Sequence, residues 1–98
     1  MFELRQTETF EAWLTKLKDG KAKRVISRRL DQIVFGHFGD SKSLGDHVFE
    51  MRIHLGPGYR LYYTEHNGRI VILLCAGHKG TQKRDITRAK KIAKEQKL

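Results

Sequence analysis

The apolar residues change their spacing midway along the chain, and that change limits the possible folds more than any other feature. Up to Val34 they recur at helical intervals, as in Phe10, Trp13, Leu14 and Leu17 and again in Ala22, Val25, Ile26, Leu30, Ile33 and Val34. From Val48 they alternate, with Phe49, Met51, Ile53 and Leu55 on one side of an extended chain and Val48, Glu50, Arg52 and His54 on the other. Side chains return to one face about every 3.6 residues on a helix and every second residue on a strand. The first pattern therefore predicts two amphipathic helices and the second a half-buried strand. Helices followed by consecutive strands indicate an α+β domain, with the helices laid on an antiparallel sheet.

Punctuation residues divide the chain further. Thr7 is the expected N-cap of the first helix, with Glu8 and Glu11 in its first turn and Gly20 as its stop. Asp19-Gly20 then joins it to the second helix as a helical hairpin, which Gly36 ends. Residues 36–47, "GHFGDSKSLGDH", show no period and are expected to form one long loop. "GPG" at residues 56–58 turns the chain, "YRLYYTEH" runs back, and Asn67-Gly68 carries the signal of a type I′ turn. "RIVILLCA" is apolar on both faces, as a central strand is. Residues 2–6 suit a short first strand. Thr81 to Leu98 suit a last helix whose stripe of Ile86, Ala89, Ile92 and Ala93 is thin, so its last turn is expected to fray or to await a partner. The predicted order is β-α-α-β-β-β-α in a single domain spanning residues 1–98, because a chain of this length builds one core.

Twenty Lys and Arg against eleven Asp and Glu leave a net charge of +9, a field that attracts polyanions such as nucleic acid, a ribosome or an acidic protein. Lys21, Lys23, Arg24, Arg28 and Arg29 share the outer face of the second helix and form the candidate RNA- or ribosome-binding surface. Cys75 is the sole cysteine, which excludes a disulfide framework within the chain. No leader-like start and no apolar run long enough for a bilayer is present, so a cytoplasmic protein without membrane association is expected. No carboxylate-His cluster has metal-ligand spacing, and no cofactor is expected.

The polar strand positions carry the chemistry. With residues 56–58 as a three-residue loop, Leu55 faces Tyr59, His54 faces Arg60 and Arg52 faces Tyr62. Across the second hairpin, Arg60 then faces Cys75 and Tyr62 faces Leu73. On this register Met51, Ile53, Leu61 and Tyr63 lie under the helices, and Arg52, His54, Arg60 and Tyr62 gather on the opposite, concave face. His78, Lys79 and Lys83 reach its rim. Arginine binds phosphate in a fork, lysine supplies a point charge and histidine titrates near neutrality. Those groups match what metal-independent RNA cleavage needs: a base for the ribose 2′-hydroxyl, cations for the phosphorane and a proton for the leaving oxygen. Tyr62 is placed to stack a base.

The string "FEMRIHLGPGYRLYY" followed by "LLCAGHKGTQKRDITRAKKIAKE" resembles the RelE/ParE superfamily of toxins from bacterial toxin–antitoxin modules. It is most similar to the branch of addiction-module killer proteins near the HigB-type toxins, and the likeness covers nearly the whole chain. The resemblance implies a small RelE-like toxin that cuts mRNA on the ribosome and is held inactive by a cognate antitoxin. For a HigB-type toxin that antitoxin is a helix-turn-helix, HigA-like protein that represses the shared operon. It assigns catalytic roles to Arg52, His54, Arg60 and Lys79. Where RelE-type toxins carry a tyrosine near the C-terminus, this chain has Gln82, Lys83 and Asp85. His54 is then the expected general base, with Lys79 or His78 as its electrostatic partner and Lys83, Tyr62 and Gln82 as auxiliaries. A ParE-like inhibitor of DNA gyrase, which needs no cationic cluster on the sheet, and a basic protein-binding module are the rival readings.

Overall fold

A computed structural model describes residues 1–96 of the chain. The elements follow as β1 (Glu3–Gln6), α1 (Glu8–Lys16), α2 (Gly20–Val34), β2 (Ser41–Ser43), β3 (Val48–Ile53), β4 (Tyr59–His66), β5 (Ile70–His78), a short 3-10 turn (Lys79–Thr81) and α3 (Gln82–Glu95). This is the expected α+β order with one addition, β2, which lies within the stretch expected to be loop and pairs with β3 at the sheet edge. The sheet runs β1-β5-β4-β3-β2. It is mixed, because β1 lies parallel to β5 while every other pair is antiparallel. The chain has to cross over through α1, α2 and the meander before β5 meets β1, so local pattern could not reveal that pairing.

One sheet face carries the helical hairpin. Phe10 of α1 and Ala22, Ile26, Leu30 and Ile33 of α2 pack on Met51, Ile53, Leu61, Tyr63, Val71 and Leu73. Thr7 caps α1 as expected, its hydroxyl accepting the Phe10 N–H at 3.1 Å. Gly20, however, does not stop α1; that helix ends at Lys16, and Gly20 is the first residue of α2, capped by Asp19. An aspartate is a stronger helix start than a glycine is a stop, and its carboxylate accepts the Ala22 N–H at 3.1 Å. Gly36 ends α2 in the left-handed region at φ 85°, with its N–H on the Ile33 carbonyl.

The other face is covered by α3. Its thin stripe is packed: Ala89 is fully buried, and Ile86, Ile92 and Ala93 pack with it on Val48, Tyr62, Ile72, Leu74 and Cys75. The last two residues expected in this helix, Lys97 and Leu98, lie outside the described residues. Leu74 is the pivot of this second core. Tyr62 pairs with Cys75 and Tyr63 with Leu73, so Leu74 bulges without a partner on β4. Thr7 satisfies the freed backbone, its hydroxyl donating to the Leu74 carbonyl at 2.7 Å.

Candidate functional site

Both hairpin registers differ from expectation. Ile53 pairs with Tyr59, so the first connection is the five residues 54–58, and Arg52 lies directly opposite Arg60 instead of Tyr62. The slip is two residues, which keeps every side chain on its predicted face. In the second hairpin Arg60 lies opposite Gly77, not Cys75, and Tyr62 opposite Cys75, not Leu73. Asn67 and Gly68 both take positive φ, as the turn signal required.

The face expected to be an open cationic surface is therefore roofed at its centre. Tyr62 is fully buried beneath α3 and cannot stack a base there. Its hydroxyl donates to Glu50 Oε2 at 3.3 Å, and burial, then the neighbouring Glu50 charge, holds its pKa well above the ordinary value. Glu50 is itself fully buried. It accepts Gln82 Nε2 at 2.7 Å on Oε2 and Arg52 Nε at 3.2 Å on Oε1. Gln82 thus belongs to a network that ties α3 to β3 and β4. Gly77 lets α3 come this close: a Cβ there would lie 1.9 Å from Asp85 Oδ2 and 2.8 Å from Thr81 Oγ1. Asp85 is 2% exposed and accepts the Thr81 hydroxyl at 2.5 Å.

Towards the 54–58 turn the roof ends. Arg52 keeps 31% of its side chain exposed. Arg60, 8% exposed, runs back along its own strand, and Nη1 donates to the carbonyls of Gly58 and Tyr59, each at 3.2 Å. Its Nε is buried without a hydrogen-bond partner, and it forms no salt bridge among the described residues. Lys79 meets it at the same carbonyl, its backbone N–H donating to Gly58 at 2.9 Å. A Cβ built on Gly58 would lie 3.4 Å from Arg60 Nη1 and 3.5 Å from Lys79 Cβ, so both side chains crowd one turn. Lys79 is exposed and has no acidic partner among the described residues.

His54 has left the strand and does not face Arg60. It is exposed, and its Nε2 lies 2.6 Å from Asp40 Oδ2. That hydrogen bond, with the charges of Arg52, His54 and Arg29, holds the Asp40 carboxyl below its usual pKa despite the opposing effect of burial. His78 has local work: its Nδ1 accepts the Gly80 N–H at 3.0 Å and caps the 3-10 turn. Lys83 is exposed on the first turn of α3. On α2, Lys23, Arg24 and Arg28 line a groove of about 360 Å³ with Ser27 and Asp31, and Lys21 is exposed at the start of that helix. Arg29 is not free for a partner; its guanidinium donates to the carbonyls of Arg52 at 3.1 Å and Phe38 at 3.3 Å.

Two carboxylates were missed by sequence reasoning. Glu50 stands two residues before Arg52 on the same alternating face, so the pattern already placed it beside the cluster. Asp40 sits in the aperiodic stretch, and only the pairing of β2 with β3 brings it to His54. Among the described residues no three His, Cys, Asp or Glu side chains assemble as a metal site needs, and no helix is long and apolar enough to cross a membrane.

The family described as phage-derived, Gp49-like protein (DUF891) matches residues 12–97. An uncharacterized protein of Haemophilus influenzae is 50% identical over 93 residues, covering 95% of this chain and 94% of its own. The solved structure of the Escherichia coli toxin RelE, a double mutant in the free state, superposes with a TM-score of 0.73 at 17% identity. That match covers 92% of this chain and 95% of RelE, so the two share a fold.

Proposed function

This chain belongs to the phage-derived Gp49-like family, and on that premise we propose that it is the toxin of a type II toxin–antitoxin module, a metal-independent endoribonuclease that cuts mRNA on the ribosome. The RelE neighbour is a toxin, and the proposal carries that role to this chain together with a HigB-like kinship. One observation supports it above the others: Arg60 is nearly buried, has an unpartnered Nε and forms no salt bridge among the described residues. A guanidinium held so is costly unless negative charge arrives from outside, and a phosphodiester at the 54–58 turn supplies it.

In this reading Arg60 and Lys79 hold the phosphorane, and Arg52, oriented by Glu50, holds the same phosphate from the neighbouring strand. His54 takes the proton of the 2′-hydroxyl. The cations of α2, the exposed Lys21, Arg24 and Arg28 and the half-buried Lys23, contact ribosomal or messenger RNA. The partner that silences the protein is an antitoxin, taken to be a helix-turn-helix protein of the HigA kind.

Single replacement tests the assignment. Arg60→Ala is expected to lower cleavage of mRNA on programmed ribosomes by about 100-fold or more, and Lys79→Ala by about tenfold or more. Unchanged cleavage by Arg60→Ala rejects the site. Intact mRNA together with inhibited DNA supercoiling by purified gyrase would replace the nuclease reading with that of a ParE-like gyrase inhibitor.

A further inference from the structure

We infer that Asp40 is the positioning residue of the cleavage step, holding His54 so that its Nδ1, and not its Nε2, receives the proton of the attacking ribose hydroxyl; this rests on the nuclease reading above. His54 follows the last residue of β3, is exposed, and makes no side-chain hydrogen bond among the described residues other than that to Asp40. A histidine so placed samples many ring orientations unless one nitrogen is anchored. Asp40 Oδ2, 2.6 Å from Nε2, is the anchor.

An ionised carboxylate only accepts hydrogen bonds, so the nitrogen facing it carries the hydrogen, and the neutral ring leaves its lone pair on Nδ1. The charges of Arg52 and Arg29 and the bond from His54 favour that ionised form of Asp40. The same division of labour orients histidines wherever a carboxylate holds one ring nitrogen and the other does the chemistry.

The anchor is itself fixed. The Asp40 carbonyl accepts the Arg52 N–H at 2.8 Å. Arg29 clamps the preceding Phe38 carbonyl and the Arg52 carbonyl with one guanidinium, and the Ser41 hydroxyl donates to Phe38 at 3.0 Å. Gly39, at φ 64°, gives Arg29 room: a Cβ there would lie 2.6 Å from Nη2. Residues 38–40 are thus pinned between α2 and β3, beside the strand that carries Arg52.

In the step itself, the 2′-O–H bond breaks and its proton passes to His54 Nδ1, giving an imidazolium paired with Asp40. The 2′-oxygen bonds to phosphorus as the bond from phosphorus to the 5′-oxygen breaks. The 5′-oxygen takes a proton from water, and the imidazolium returns its proton to the hydroxide formed.

The test compares Asp40→Ala and Asp40→Asn in the full chain on programmed ribosomes. Asp40→Ala is expected to lower kcat about tenfold or more with little change in KM. Asp40→Asn should recover little of that loss, because its NH2 can donate to Nε2 and so select the other tautomer, and because a neutral amide leaves the imidazolium without its counter-charge. Nitrogen-15 NMR of the imidazole should show the hydrogen of the neutral His54 ring on Nε2 in the wild type and a mixture of tautomers in Asp40→Ala. Wild-type kcat in Asp40→Ala, or a wild-type ring protonated on Nδ1, overturns the inference. A wild-type protein that cuts no mRNA fails the nuclease reading and this one together, whereas equal cutting by the wild type and Asp40→Ala fails this one alone.

Discussion

Gly77 shows how little space separates α3 from the sheet. A methyl group there would overlap the Asp85 carboxylate, which is buried and bonded to Thr81, so neither neighbour has an easy way to yield. Gly77→Ala is expected to destabilise the protein by about 1–3 kcal/mol, read from the midpoint of urea unfolding. Tyr62 gives a second residue-scale prediction. Burial raises its pKa in the folded state, and the Glu50 charge adds to this; in the unfolded chain a tyrosine ionises near pH 10, about its model-peptide value. The unfolded state therefore loses its proton first, so this stability is complete below about pH 10 and declines as pH rises from there towards the folded pKa. Urea titrations from pH 8 to 11 should show that decline, with a shallower slope in Tyr62→Phe. An equal slope in both proteins would mean that Tyr62 does not ionise later in the folded state than in the unfolded chain.

Among the elements, the junction of β1, α1 and β5 concentrates several duties in Thr7, which caps α1 and fills the backbone gap left by the Leu74 bulge. Thr7→Ala should cost more than an ordinary cap, about 2 kcal/mol or above, whereas Thr7→Ser, which keeps the hydroxyl, should retain most of the stability in the same urea titration. The elements also show what pattern alone can and cannot specify. Helix and strand identities followed from period, and the inner face of Met51, Ile53, Leu61 and Tyr63 is the one that packs on the hairpin. The first hairpin's register moved by an even number of residues, so the faces survived the error. In the second hairpin the Leu74 bulge realigns the strands, keeping Tyr62 and Cys75 on one face. Nothing in the spacing announced that bulge, the parallel β1–β5 pair or β2, because each depends on residues far away in the chain. The site divided in the same way. Arg52 and Arg60 came together as strand parity required, but the cover of α3 removed Tyr62 from solvent, and the longer turn carried His54 out to Asp40.

At the scale of the whole molecule, +9 is spread over a body of 33 × 28 × 23 Å, and cations line the α2 groove as well as the 54–58 turn. Binding to single-stranded RNA should weaken linearly in a plot of log affinity against log salt. Replacing Arg24 and Arg28 by alanine should flatten that slope by roughly 0.7 for each phosphate that is no longer neutralised; an unchanged slope would place the RNA elsewhere on the surface. α3 covers one sheet face, so in this conformation the apolar stripe of that helix is not open to the proposed antitoxin. The proposed activity turns on Arg60 stabilising attack by a ribose hydroxyl on its own phosphodiester. The chemistry of the cut ends measures this most directly. mRNA incubated on programmed ribosomes with the wild-type protein should yield fragments with 5′-hydroxyl ends, and the same incubation with Arg60→Ala should leave it intact; 5′-phosphate ends, or equal cutting by the variant, would contradict that role for Arg60.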